Sequence, residues 1–159
     1  MPTTDKNLFR SLKAGDFPGA FYVDGKAVKG LLYPRFAATQ YTDLNGAVRT
    51  SQVDVEIKTN ADGNPEVQTG GGTSLFDVAG WFSGAEWSEF AIPDGTEYPD
   101  NLVITAGKKK KSNRAKTVSG VHHQIEPKNP MTVDAFKGSL DTFARNAVVR
   151  SVALGHGGD

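Results

Sequence analysis

The clearest repeat of apolar residues at helical spacing lies near the end of this chain. Val133, Phe136, Leu140, Phe143 and Ala147 recur at three- and four-residue steps, which predicts a helix with one apolar face. Thr132 fits its N-cap, Met131 and Phe136 stand at staple positions, and Gly155 ends it. The sequence before it reads as short stretches punctuated by turns. Asn7 to Ala14 alternates, with Leu8, Arg10 and Leu12 on one face and Phe9, Ser11 and Lys13 on the other. A Gly-Asp-Phe-Pro-Gly turn at Gly15 to Gly19 closes it. Ser51 to Thr59 sets Val53, Val55 and Ile57 against Asp54, Glu56 and Lys58, which predicts one half-buried strand. Asn60 to Pro65 is a loop with an Asp62-Gly63 turn. Glu89 to Ile92, Leu102 to Thr105 and Val118 to Ile125 predict further strands; Pro93-Asp94-Gly95 closes the first, and Pro127 and Pro130 stop the last. Ala20 to Val23 and Gly30 to Tyr33 fit either short strands or a broken helix. Short antiparallel-looking strands with a terminal helix make a mixed α+β fold.

The length, 159 residues, suits one domain spanning 1–159, with enough chain for a proper core. Eighteen glycines and eight prolines match the turn-rich pattern and argue against a bundle of long helices. Lys and Arg total 18 and Asp and Glu total 18, so net charge gives no general case for nucleic acid or membrane. The absence of cysteine excludes disulfides, thiol catalysis and thiolate metal sites. The polar segment Met1 to Asp16 does not read as a cleaved secretory signal, and no apolar run is long enough to span a bilayer. These features lead us to expect a protein that is cytoplasmic in its producer.

Four groupings carry chemical interest. Ser74 with Asp77 three residues on resembles a capping box, which predicts a short helix after Gly70-Gly71-Gly72. Such a helix start would offer N–H groups to a phosphate. Its plainer reading is a capped surface turn, and no Gly-Lys-Ser/Thr follows to make it a P-loop. His122 and His123 are strand neighbours and so face opposite ways; they cannot chelate one metal together, and no metal site is expected. Lys108 to Lys111, with Arg114 and Lys116, reads as a solvated hairpin tip or as a contact for RNA or an acidic partner; no aromatics are interleaved to stack on bases. Asp94, Glu97 and Glu126 are not brought together by the sequence, so a paired-carboxylate mechanism has no support.

Four strings in the second half resemble one toxin family. They are Gly71 to Asp77, Phe90 to Thr96, Val121 to Ile125 with Pro127 and Pro130-Met131, and Gly138 to Ala147. Their order and spacing from about Gly70 to Arg150 are similar to those of the second type VI secretion exported effector family, a set of short intracellular toxins. In the first half, Leu8-Phe9-Arg10 carries the resemblance. The resemblance implies an ADP-ribosyltransferase-like fold: two small, mainly antiparallel sheets packed together, with helices at the edges and NAD held in the cleft between the sheets. It also implies a three-part site. Phe9-Arg10 resembles the aromatic-Arg strand, and Thr73-Ser74 the Ser/Thr motif. His122 occupies the position where most such transferases carry a glutamate. Glu126 lies nearby but out of register with that glutamate.

On this basis Arg10, Ser74 and His122 are the expected catalytic residues. Arg10, Arg49, Thr73 and Ser74 are the expected NAD contacts, with Arg10 holding the pyrophosphate. The implied partners are a cognate immunity protein, the secretion apparatus and a macromolecular acceptor, with nucleic acid left open. Two alternatives remain at this point: a metal-independent ribonuclease using His122, Arg10 and a lysine of the 108–111 run, and a non-catalytic pseudo-transferase or adaptor.

Overall fold

The computed structural model describes residues 1–13, 29–81, 87–111 and 118–155. In chain order its strands are β1 (Leu8–Lys13), β2 (Thr39–Thr42), β3 (Val48–Ser51), β4 (Ile57–Thr59) and β5 (Pro65–Val67). They continue as β6 (Thr73–Phe76), β7 (Trp87–Ile92), β8 (Leu102–Lys111), β9 (Ser119–Pro127) and β10 (Met131–Thr132). The helix α1 (Val133–Ala153) follows. The Gly15 to Gly19 turn and the segment Ala20 to Val23 lie outside the described residues.

The architecture is α+β, as the strand pattern and the resemblance implied. A five-stranded antiparallel sheet has the order β7-β1-β6-β9-β8, and a three-stranded one the order β10-β5-β4. Strands β2 and β3 form a separate hairpin. Helix α1 packs on β7 of the large sheet and on β5 and β10 of the smaller one. Its apolar stripe, Phe136, Leu140, Phe143, Ala144 and Ala147, is fully buried. Burial stabilises each large side chain of that stripe by roughly 1.5–3 kcal/mol, which outweighs weak intrinsic propensity. The Thr132 hydroxyl accepts from the Ala135 N–H, so the expected cap is in place.

Gly70 to Phe76 departs from the expected helix start. Thr73–Phe76 is a central strand, paired with β9 on one side and with Phe9 of β1 on the other. Thr73 and Leu75 point into the core and Ser74 and Phe76 away from it. Two partner strands and a buried Leu75 override a local capping pattern. There is no helix N-terminus here, and the anion site it would have made is absent with it. The glycines serve close packing instead. Gly70 takes φ 98°, a left-handed conformation. A Cβ on Gly72 would overlap the Ile125 carbonyl, and one on Gly71 the Asp54 carbonyl.

Three further expectations are corrected. Ser51 to Thr59 is not one strand: β3 pairs with β2, while β4 pairs with β5 in a different sheet. Asp54 sits between them, its main chain and carboxylate both hydrogen-bonded to Arg35. Val55 is buried at this break, whereas Val53 and Ile57 are exposed. The run Lys108 to Lys111 is not a hairpin tip but the end of edge strand β8, paired with β9 through Lys111↔Ser119. A bulge between Ala106 and Lys109 shifts its register. Lysines on an edge strand discourage pairing with another sheet. Arg114 and Lys116 lie outside the described residues. Gly30 to Tyr33 is neither strand nor helix but a turn, closed by Tyr33 N–H donating to the Gly30 carbonyl at 3.2 Å.

Candidate functional site

The large sheet has two unlike faces. Its inner face carries Leu8, Leu12, Leu75, Phe90, Ile92, Leu102 and Ile125, all buried. The outer face of β6 and β9 carries Ser74, Phe76, His122, Gln124 and Glu126. Register follows from Ser74↔Gln124 and Phe76↔His122. Strand alternation then places His122 and Glu126 on either side of Gln124, both diagonal to Ser74. The structure therefore brings Ser74 and His122 to one surface.

That surface is aromatic at one end and polar at the other. The Phe76 and Trp81 rings stack with centroids 3.9 Å apart and planes at 11°. The His122 ring is 5.2 Å from Phe76. At the polar end the Glu126 carboxylate accepts from the Thr105 hydroxyl at 2.6 Å, from the Gln124 amide at 3.3 Å and from the Gly70 N–H at 3.0 Å. Three donors explain how a carboxylate is tolerated in a buried place. Gln124 and Glu126 were not among the expected site residues. Period-two alternation from His122 would have found them, because His122, Gln124 and Glu126 share a face.

Arg10 is placed differently. It shares the inner face with Leu8 and Leu12, opposite Phe90. Its guanidinium reaches between strands: Nη1 donates to the Ser74 carbonyl at 3.3 Å and Nη2 to the Tyr33 carbonyl at 3.0 Å. Arg10 thus grips the backbone of the strand that presents Ser74. Thr73 is wholly buried, and its hydroxyl donates to the Leu32 carbonyl at 2.5 Å. Arg49 lies on the β2-β3 hairpin, where its Nε donates to Asp43 at 2.8 Å. That bond holds the Asp43 carboxyl below its ordinary range. None of the hydrogen bonds described for Arg49 joins it to Arg10, Thr73 or Ser74.

His123 faces inward and is buried. Its Nδ1 lies 3.1 Å from the Val121 carbonyl, so that nitrogen carries the proton. The ring lines a cavity of about 270 Å³ with Thr3, Asp5, Lys6, Tyr98 and Ile104, on the face away from Ser74. His156 is outside the described residues. Among the described residues no cluster of three or more His, Asp or Glu side chains is arranged to hold a metal.

Comparison with known proteins gives this arrangement its context. Residues 4–152 match the family described as Tse2 ADP-ribosyltransferase toxin, so the match runs from before β1 to the last turn of α1. The chain belongs to the Tse2 ADP-ribosyltransferase toxin family. Among curated proteins it is 41% identical over 80 residues to Toxin Tse2 of Pseudomonas aeruginosa. That alignment covers 50% of this chain and 47% of the relative, so the chain spans about half the length of the curated protein it matches.

Proposed function

We propose that the chain is a toxin that transfers ADP-ribose from NAD to a macromolecular acceptor in the cytoplasm of a target cell. The observation that carries this reading is the family match across residues 4–152. The outer face of β6 and β9 supports it by offering the required chemistry. In the reaction, the bond between the nicotinamide nitrogen and ribose C1′ breaks and its electron pair leaves with nicotinamide. C1′ develops positive charge, an acceptor nucleophile bonds to it, and the acceptor's proton departs. We assign Ser74 to the nicotinamide ribose, by hydrogen bonding from its hydroxyl. Neutral His122 takes the acceptor's proton. The stacked Phe76 and Trp81 supply an aromatic wall suited to a planar ring.

Arg10 and Thr73 act in this reading as positioning residues, because their donors engage main-chain carbonyls of Ser74, Tyr33 and Leu32. Glu126 fixes Gln124 and the Gly70 turn on the same surface. Arg49 has no assigned role. The toxin works as a single domain over 1–159, travels by the type VI apparatus and is paired with a cognate immunity protein.

The test is incubation of the pure protein with NAD. Nicotinamide release, or label moved from NAD to an acceptor, is the expected result. RNA cleavage without NAD would overturn it in favour of a ribonuclease, and neither reaction would favour a non-catalytic adaptor.

A further inference from the structure

The C-terminal helix carries one of the strings by which the chain resembles its family, yet none of its residues belongs to the proposed site. Asp141 accounts for the connection. It projects from α1 toward the turn at Gly30 to Tyr33, more than a hundred residues earlier in sequence. Its Oδ1 accepts from the Gly30 N–H at 3.0 Å, and its Oδ2 accepts from the Tyr33 hydroxyl at 2.8 Å. Two donors on one carboxylate fix both ends of a four-residue turn.

The same turn holds the site from behind. The Leu32 carbonyl takes the Thr73 hydroxyl, and the Tyr33 carbonyl takes Arg10 Nη2. Arg10 in turn binds the Ser74 carbonyl. A continuous hydrogen-bonded path therefore runs from α1 through the turn and Arg10 to the strand that presents Ser74. Leu31 and Leu32 are fully buried, which anchors the middle of the turn. Gly30 has φ 86°, so the residue beside the helix is one that tolerates this backbone. The Lys137 ammonium lies 5.5 Å from the Tyr33 ring and 5.3 Å from the Phe36 ring, packing a second side chain of α1 over the turn.

We propose that Asp141 is a positioning residue for the reaction, holding the Gly30 to Tyr33 turn so that its carbonyls fix Arg10 and Thr73 beneath Ser74. This rests on the proposed NAD reading for its kinetic consequence but not for its structural one. The two are measured separately on the full chain. Backbone amide exchange is followed in wild type, Asp141→Ala, Asp141→Asn and Tyr33→Phe. Loss of a charge-assisted bond predicts at least about tenfold faster exchange at Gly30 in Asp141→Ala, with Asp141→Asn between that variant and wild type, because its single amide oxygen can accept from the Gly30 N–H while its NH2 group cannot accept from the Tyr33 hydroxyl. Unchanged exchange in Asp141→Ala overturns the link, whatever the protein does with NAD.

Nicotinamide release is then measured on the folded variants. Asp141→Ala should lower kcat by about tenfold with KM within about twofold, and Asp141→Asn should recover part of it through the one acceptor it keeps. A kcat in Asp141→Ala equal to wild type, or an Asp141→Asn variant no more active than Asp141→Ala, overturns the positioning role. If Asp141→Ala does not fold, Tyr33→Phe carries the same test, since it removes one hydroxyl and keeps the ring. No nicotinamide release by wild type would sink the NAD reading and leave the exchange result to decide the link.

Discussion

The two faces of strand β6 have the same backbone and opposite demands. Thr73 and Leu75 look inward, where every atom is packed and the Thr73 hydroxyl has a fixed partner. Ser74 and Phe76 look outward beside His122 and Gln124. Substitutions on the inner face should therefore act through folding, and those on the outer face through chemistry. The comparison also explains why Arg10 belongs with the inner set: its guanidinium serves the backbone of β6 and of the Gly30 to Tyr33 turn.

The most damaging change expected is at the entrance to the strand. Gly72→Ala puts a methyl group on the Ile125 carbonyl. It should cost more than about 3 kcal/mol or prevent folding, as read by chemical denaturation. Leu75→Ala should follow, at about 2–5 kcal/mol, because it leaves a cavity in a fully buried place. If either change left the melting curve intact, the inner face would not be the core that the structure describes.

The two histidines sharpen the contrast within one dipeptide. His122→Ala should leave the fold near wild type and abolish toxicity. His123→Ala should lower the melting temperature, since it removes a buried ring that caps the Val121 carbonyl, and leave residual toxicity in proportion to folded protein. The reverse pattern would exchange the faces of β9.

A smaller effect is expected from alkali. Burial and the bond to Asp141 raise the Tyr33 pKa above its ordinary 10.0. Above that ordinary value the unfolded chain loses the proton first, so the folded state binds more protons and stability falls as pH rises. This loss, seen as melting against pH from about 10 upward, should be reduced in Tyr33→Phe. Smallest of all is Asp43→Asn on the β2-β3 hairpin. Its partner Arg49 is largely exposed, and toxicity and melting should both stay near wild type.

Much of the fold was legible where one local signal and one environment agreed. The α1 stripe has a complete apolar face, a cap at Thr132 and a single packing side. Strands β1, β7 and β9 show period-two patterns that match their pairing. Legibility failed where partners decide the outcome. Thr73–Phe76 has a helix-like signature locally, but it lies between two strands that are distant in sequence. Val53, Val55 and Ile57 alternate cleanly, yet Asp54 breaks the segment by binding Arg35. For the site, the resemblance supplied Arg10, Ser74 and His122, and the sequence alone placed His122 and His123 on opposite faces. Alternation alone puts Gln124 and Glu126 on the face of His122, but that Ser74 stands opposite Gln124 follows from strand register, and that Arg10 grips main chain follows from the fold.

The claim that the outer face of β6 and β9 is an NAD site is tested most directly by nicotinamide release from NAD, compared between wild type and Ser74→Ala at matched folded fraction. Release by wild type and its loss in a fully folded Ser74→Ala is the predicted result. Equal release by both proteins, or none by wild type, would contradict it.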